Sequence, residues 1–370
     1  MFAFLQLPLN AQGLQTRYEP EISAPNAVVM EKETGTVIFD KNSREPGFPA
    51  SITKIMTMLL ITEDIEAGLI KPDDIVTASE RAASFGGSCV YLEQGEQMSV
   101  SEMLKCISVV SANDCAVAMA EHICGSEEGF VRRMNERAKE LGMENTHFSN
   151  CTGLFQNDGH YTTAYDVALM ARELIGHEHI KQYTTIWMDS IRDGEFELTN
   201  TNKLVYSYPG CTGLKTGYTS TAQYCLAATA ERDGVEYIAV VMHAESSEKR
   251  NADAKRLLDY AFANYCLRDI DSLFVLNAPA VDLGKAERVR VKCAEGKKLL
   301  LPVRGGEPEC RVELPERIAA PVKKGEVLGL VKVMQSGEEY TRLMLVAEDD
   351  VPRLGYFGIF ALIGRSLLAI

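Results

Sequence analysis

Residues 213–242 read GLKTGYTSTAQYCLAATAERDGVEYIAVVM, and a side-chain period of two through them predicts three successive β-strands, 214–219, 224–231 and 235–242. Arg232-Asp233-Gly234 supplies the tight turn between the last two. Upstream, residues 26–40 (NAVVMEKETGTVIFD) alternate around Glu33-Thr34-Gly35 and predict a hairpin of two further strands. Helical periods lie between and after these strands. Residues 51–68 carry Ile52, Ile55, Met56, Leu59 and Leu60 at helical spacing, which places Ser51 at or near the helix start. Ser99-Val100-Ser101-Glu102 is a capping box ahead of Met103, Leu104, Ile107 and Val110, and Ser111-Ala112-Asn113 reads as a break before a helix over 114–124 that Gly125 can cap. Thr162 or Thr163 caps another helix with Val167, Met170, Ala171 and Leu174 on its core face, and residues 247–265 are helical with Ala254, Leu257, Leu258, Ala261 and Phe262 as their stripe.

Two strands early, three late and helices between and after them imply an α/β chain of the α+β kind. Its expected core is a five-stranded antiparallel sheet flanked by helices, beside a helical lobe. Beyond Cys266 the texture changes to short alternating runs punctuated by Gly and Pro, which predicts a small all-β domain of about 80 residues, a size that folds alone. The expected organisation is therefore a leader over 1–24, a main domain over 25–267, the β-domain over 268–349 and a terminal segment over 350–370.

The chain has 370 residues, with 38 Lys plus Arg against 52 Asp plus Glu and a net charge of −14, which argues against a nucleic-acid partner because phosphate binding needs a concentrated cationic surface. With 46% hydrophobic residues it is also not a disordered chain. Ten cysteines are scattered singly from Cys89 to Cys310 without a C-x-x-C, so neither a zinc knuckle nor a redox pair is read, and they are expected to act as small apolar residues. His177-Glu178-His179 is expected to be a solvent-facing helix tail, and no metal site or cofactor is predicted.

The ends suggest a location. Met1 to Leu9 is apolar and Asn10-Ala11-Gln12 follows, like the tail of a secretory signal lacking its basic start. Residues 354–363 (LGYFGIFALI) are uncharged but short of the roughly 20 residues that span a bilayer, so an interfacial anchor on a membrane surface is expected.

Three short motifs carry the chemistry. Ser51-Ile52-Thr53-Lys54 sets a hydroxyl and an amine one helical turn apart, and a lysine can take the serine proton if its pKa is depressed. Ser246-Ser247-Glu248-Lys249 has the same spacing in a charged stretch, so the spacing alone is weak. Ser111-Ala112-Asn113 adds a hydroxyl able to relay a proton and an amide able to hold a substrate carbonyl. Lys215-Thr216-Gly217 adds a cation, a hydroxyl and a residue without a side chain, so that a substrate backbone can lie along a strand edge.

In this order, S-x-x-K, S-x-N and K-T-G form the signature set of penicillin-binding proteins and class A β-lactamases. With their flanks, Pro49 to Thr57, Ser111 to Ala116 and Gly213 to Thr219, they make the chain over roughly 25–350 resemble the D-alanyl-D-alanine carboxypeptidases, the low-molecular-weight penicillin-binding proteins.

The resemblance implies acyl transfer to Ser51 from a peptidoglycan stem peptide ending in D-Ala-D-Ala, with Lys54 as base, Ser111 passing the proton and Asn113 orienting the substrate amide. It implies that Lys215 tunes its neighbours and attracts the anionic tail, that Thr216 and Arg250 bind the terminal carboxylate, and that Gly217 admits the substrate. The backbone N–H groups of Ser51 and Tyr218 would hold the oxyanion. It also implies acylation by β-lactams, an extracytoplasmic site on the bacterial cell membrane, and a structural role for His160. A class A β-lactamase is the competing enzyme, although Glu195 to Asn200 does not match its E-x-x-L-N. A sensor that acylates without turnover is the competing non-enzyme.

Overall fold

Strand β1 (Asn26–Glu31) is buried at every position, which requires both faces covered and both edges paired. The computed structural model describes residues 19–154, 159–294, 296 and 298–360. In it β1 runs antiparallel to β2 (Val37–Lys41) on one side and β5 (Val235–Ala244) on the other. Strands β3 (Cys211–Thr219) and β4 (Gln223–Arg232) complete a sheet of order β2-β1-β5-β4-β3, antiparallel throughout. The fully buried Glu31 carboxylate closes the first hairpin by accepting the backbone N–H of Glu33 at 2.8 Å and of Thr34 at 2.7 Å.

Against the predicted 214–219, 224–231 and 235–242, β3 begins earlier, β4 extends by one residue at each end and β5 ends later, and β3 contains a register shift between Cys211 and Gly213. Strand β3 lies at the sheet edge, so one row of its backbone groups is unpaired by any strand among the described residues.

Helix α1 (Lys54–Glu66) is the centre of the helical part. Its predicted single apolar face is an underestimate, because Ile55, Met56, Met58, Leu59, Leu60 and Ile61 are all buried and lie all around its circumference. A helix apolar on every side belongs inside a domain. Here α2 (Val100–Val109), α3 (Asn113–Cys124), α4 (Glu127–Glu140), α5 (Ala164–Gly176) and strand β3 surround it. The capping box at Ser99 and Glu102 forms as expected, Gly125 adopts the left-handed conformation after α3, and Thr163 rather than Thr162 caps α5 through the Asp166 N–H. Helix α6 (Ser247–Asn264) follows the sheet, and its buried Asp253 accepts the backbone N–H groups of Ser23 and Ala24, tying down the start of the described chain.

The chain separates into two compact units, Glu19–Ala263 and the part from Asn264 onward. The second is β-rich, and its strands begin at once: Tyr265–Asp269, expected to lie partly in a helix, pairs with Lys298–Pro302. Strands β6 (Val291–Cys293), β7 (Glu309–Glu313), β8 (Val327–Gln335) and β9 (Glu338–Ala347) form an antiparallel sheet of order β6-β9-β8-β7 around Val331, Val333, Leu343 and Leu345. Residues 356–360 are helical. Most of the expected leader and the last ten residues lie outside the described residues, among which no helix is long and apolar enough to cross a membrane.

Because α1 is enclosed, it cannot collapse around a lost side chain. Leu59→Ala is expected to cost about 2–5 kcal/mol in a denaturant melt; a cost under about 1 kcal/mol would mean that α1 is not the enclosed centre.

Candidate active site

Ser51 does not sit in the α-helix itself. It lies in a 3-10 turn, Ala50–Thr53, that leads directly into α1 and places Lys54 as the first α-helical residue. Lys54 is fully buried, and its Nζ donates to Ser51 Oγ at 3.1 Å and to the Thr152 carbonyl at 2.8 Å. Burial pulls its pKa down to about 7, against weaker upward pulls from Cys151, Cys89 and Asp114. An amine near neutrality beside a serine hydroxyl can take a proton at physiological pH, which an ordinary lysine cannot.

The turn that carries Ser51 is held from two sides. On one side, Gly217 of β3 lies so close that a Cβ there would stand 2.9 Å from the Pro49 carbonyl and 3.2 Å from both Ala50 Cβ and Ile52 Cγ1. Glycine is therefore needed here for contact between strand and turn, a reason different from the substrate access the sequence suggested.

On the other side, the loop over 150–153 is shaped by Asn150, whose Oδ1 accepts the N–H groups of Thr152 at 3.1 Å and Gly153 at 2.6 Å. Gly153 has φ +74 and packs on the Ala50 carbonyl with no room for a side chain. Buried His160 completes the clamp. Its Nδ1 accepts the Ser149 N–H at 3.0 Å, so Nε2 carries the proton and donates to Thr53 Oγ1 at 2.8 Å, and Thr53 in turn donates to the Ala50 carbonyl at 2.8 Å. Burial lowers the His160 pKa to about 4, keeping the ring neutral in that tautomer.

Ser111 and Asn113 sit at the break between α2 and α3. Ser111 has φ +65, an uncommon conformation for a residue with a side chain, and its buried Oγ has no hydrogen-bond partner. Asn113 donates through Nδ2 to the Gly86 carbonyl at 2.8 Å, which leaves its buried Oδ1 without a partner. The open group is thus an acceptor, suited to a substrate N–H rather than to the carbonyl expected from sequence. Buried Asp114 fixes the adjoining loop by accepting the N–H groups of Val90 and Leu92, each at 3.1 Å.

Lys215 is buried on β3 with Nζ 3.0 Å from the Thr216 carbonyl, and burial together with the charges of Lys54 and Arg250 drives its pKa well down. Arg250, near the start of α6, is buried too, and burial lowers its pKa. Mutual influence brings Lys54, Lys215 and Arg250 into one electropositive neighbourhood within a chain whose net charge is −14. Thr216 donates to Thr201 Oγ1 at 2.8 Å, so a second hydroxyl joins the site. Tyr218 is exposed, stacked on Tyr224 with ring centroids 4.4 Å apart.

The reading of single motifs picked out Ser51, Lys54, Ser111, Asn113 and Lys215 but missed Asn150, Thr152, Thr201 and Asp114. These act through local turns and backbone bonds and carry no motif of their own. The other S-x-x-K stretch is unlike the first: Lys249 is exposed and paired with Glu245. None of the ten cysteines forms a disulfide; Cys106, Cys115, Cys151 and Cys225 are buried and the other six half-buried. Glu195 and Glu197 are exposed, and Asn200 spends its amide on the Ile186 carbonyl at 2.7 Å.

The family model for D-alanyl-D-alanine carboxypeptidase matches residues 14–246. D-alanyl-D-alanine carboxypeptidase DacF of Bacillus subtilis is 43% identical over 342 residues, covering 90% of this chain and 87% of that protein. The crystal structure of penicillin binding protein 5 from Haemophilus influenzae superposes with a TM-score of 0.84 at 28% identity, over 91% of this chain and 99% of that one. A Streptomyces K15 DD-transpeptidase structure matches with a TM-score of 0.62 at 27% identity, over 66% of this chain and all of its own length. With a buried lysine on the serine, a helix-break hydroxyl and amide and a cationic edge strand in one place, and with these relatives along its length, the chain belongs to the D-alanyl-D-alanine carboxypeptidase family of serine peptidases.

Proposed function

We propose that this protein removes the terminal D-alanine from peptidoglycan stem peptides ending in D-Ala-D-Ala. The observation that carries the reading is Lys54, fully buried with Nζ 3.1 Å from Ser51 Oγ and a pKa brought to about 7. Lys54 takes the Ser51 proton as Oγ attacks the carbonyl between the two D-alanines. The backbone N–H groups of Ser51 and Tyr218 hold the oxyanion. The carbon–nitrogen bond then breaks, and the proton returns through Ser111 to the departing amine of D-alanine. Water then attacks the Ser51 ester as Lys54 takes its proton, and Lys54 returns that proton to Ser51 Oγ as the shortened peptide leaves.

Asn113 Oδ1 receives a substrate N–H. Lys215, Arg250 and the Thr216–Thr201 hydroxyl pair receive the terminal carboxylate, whose two oxygens suit a guanidinium. A β-lactam presents a strained amide and a carboxylate to the same groups, which supports acylation of Ser51 by penicillins. The β-lactamase alternative has no support: the family match is to carboxypeptidases, and Glu195 and Glu197 are exposed side chains outside an E-x-x-L-N motif. The unspent groups of Ser111 and Asn113 favour turnover over a sensor.

We place the enzyme on the extracytoplasmic face of the cell membrane, held there by the segment over 354–363. Tyr356, Phe357 and Phe360 are 86%, 92% and 72% exposed, an apolar cluster suited to the lipid interface.

Incubation with a pentapeptide ending in D-Ala-D-Ala is expected to release free D-alanine, and Ser51→Ala to abolish it; release that survives this change would overturn the assignment. Acylation is expected to follow the neutral fraction of Lys54, holding steady above about pH 7 and falling about tenfold per unit well below it. A rate unchanged from pH 8 to about pH 5 would exclude the lysine base. The full chain is expected to co-sediment with phospholipid vesicles, and Phe357→Ser with Phe360→Ser to weaken that binding; vesicle binding unchanged in the double variant would remove the anchor from this segment.

A further inference from the structure

Residues 86–92 form a segment gripped by two consecutive residues of α3. Asn113 donates its backbone N–H to the Ser88 carbonyl at 2.7 Å and its side-chain amide to the Gly86 carbonyl at 2.8 Å. Asp114 takes the next part of the segment, with Oδ2 accepting the N–H groups of Val90 and Leu92, each at 3.1 Å. The fit is close: a Cβ on Gly87 would stand 2.9 Å from Asn113 Nδ2. Arg192 holds the same segment by a carbonyl, donating to Val90 O at 2.9 Å while its Nε pairs with Glu96 at 2.9 Å. Between these grips Tyr91 takes φ +58, an uncommon conformation that persists where the surroundings over-determine it. The Asn113 amide, whose Oδ1 is left open to a substrate N–H, is thus aimed by a segment that Asp114 fastens.

A carboxylate is a costly group to use as a fastener here. Asp114 is 1% exposed, and among the described residues no lysine or arginine ion-pairs with it. Backbone N–H groups of Val90, Leu92 and Cys115 meet its charge, and it stands in the first turn of α3, at the positive pole of that helix. A buried charge without a counter-ion costs stability, and its field is little screened by water. Lys54 lies in that field, and Asp114 favours its protonated form. The thiols of Cys89 and Cys151 also face Lys54, and Cys115 adjoins Asp114 on α3, but burial raises the pKa of all three thiols, so they are uncharged near neutrality. Lys215 and Arg250, from β3 and α6, contribute positive charge to the same neighbourhood. The carboxylate is therefore the negative group that Lys54 meets where it titrates.

We propose that Asp114 is a positioning residue for the reaction, which aims Asn113 at the substrate by fastening residues 86–92 and balances the Lys54 base with its buried charge. It touches neither the substrate nor the reacting atoms. The proposal rests on the serine–lysine acyl transfer described above and adds a second control to it. Burial alone would leave the amine a weaker base, and a negative charge nearby returns part of its basicity. One side chain thus ties the substrate-binding amide and the base to the same helix start.

The isosteric Asp114→Asn in the full chain tests both parts, read by acylation with a fluorescent penicillin across pH and by D-alanine release from a D-Ala-D-Ala pentapeptide. Removing the negative charge lowers the Lys54 pKa further, so the midpoint of the acylation profile is expected to move down by about half a pH unit or more. Loosening the segment is expected to lower kcat/KM for the pentapeptide about tenfold or more on the high-pH plateau. Arg192→Gln cuts the other grip and leaves Asp114 charged, so it is expected to lower kcat/KM with the midpoint in place. A purely structural carboxylate would change the amplitude in Asp114→Asn without moving the midpoint, and that result, or a kcat/KM unchanged in both variants, would overturn the proposal. If melting shows Asp114→Asn to be unfolded, Arg192→Gln decides: lowered kcat/KM supports the aim of Asn113 and an unchanged value overturns it. Wild-type protein that is acylated but releases no D-alanine would overturn the carboxypeptidase reading and leave the penicillin midpoint as the test of Asp114.

Discussion

A primary amine held inside an apolar helix bundle is the constraint on which the site depends. Lys54 has no solvent, and its two bonds go to Ser51 Oγ and the Thr152 carbonyl. A protonated amine so placed loses much of its hydration, and neither acceptor carries a full negative charge to compensate. The amine is therefore easily deprotonated, and the same burial that weakens it as a cation makes it a base. The enclosing residues of α1 keep water away, so the core that stabilises the fold also sets the chemistry.

The nucleophile is positioned by backbone contact more than by its own bonds. Gly217 and Gly153 press on the Ser51 turn from a strand and a loop far apart in sequence, and the His160–Thr53 link ties the Ala50 carbonyl to a third segment. Side chains at either glycine would push the turn away, so these positions govern the aim of the serine. His160 belongs with them as a positioning residue, because its neutral ring passes a hydrogen bond inward and its low pKa removes it from acid–base work near neutrality.

Charge is distributed in the opposite sense to the whole chain. The surface carries the acidic excess, while Lys54, Lys215 and Arg250 are buried close together. Burial lowers the pKa of all three, the charges of Lys54 and Arg250 lower that of Lys215 further, and an arriving carboxylate relieves the repulsion on Lys215. Binding of an anionic peptide end thus becomes favourable for the site itself, and net charge alone says nothing of it.

Much was legible in the chain. Alternation over residues 213–242 marked the three late strands, Ser99 and Glu102 marked a helix start, and the three motifs in their order pointed to the family. These features are local, governed by backbone period and hydrogen bonds a few residues apart. Sequence could not tell that α1 is buried on all sides, because one helical stripe looks the same whether the opposite face meets water or other helices. It could not join Thr152 to Lys54, 98 residues apart, or Thr201 to Thr216, because Thr152 and Thr201 lie outside any motif. It read His177 and His179 as solvent-facing because their partner, Glu66, is more than a hundred residues away and meets them only when α1 packs on α5. Sequence determined which chemical groups the protein has and the local elements that carry them. Tertiary packing decided their protonation, their aim and their company, because burial and long-range contact exist only once the chain has closed on itself.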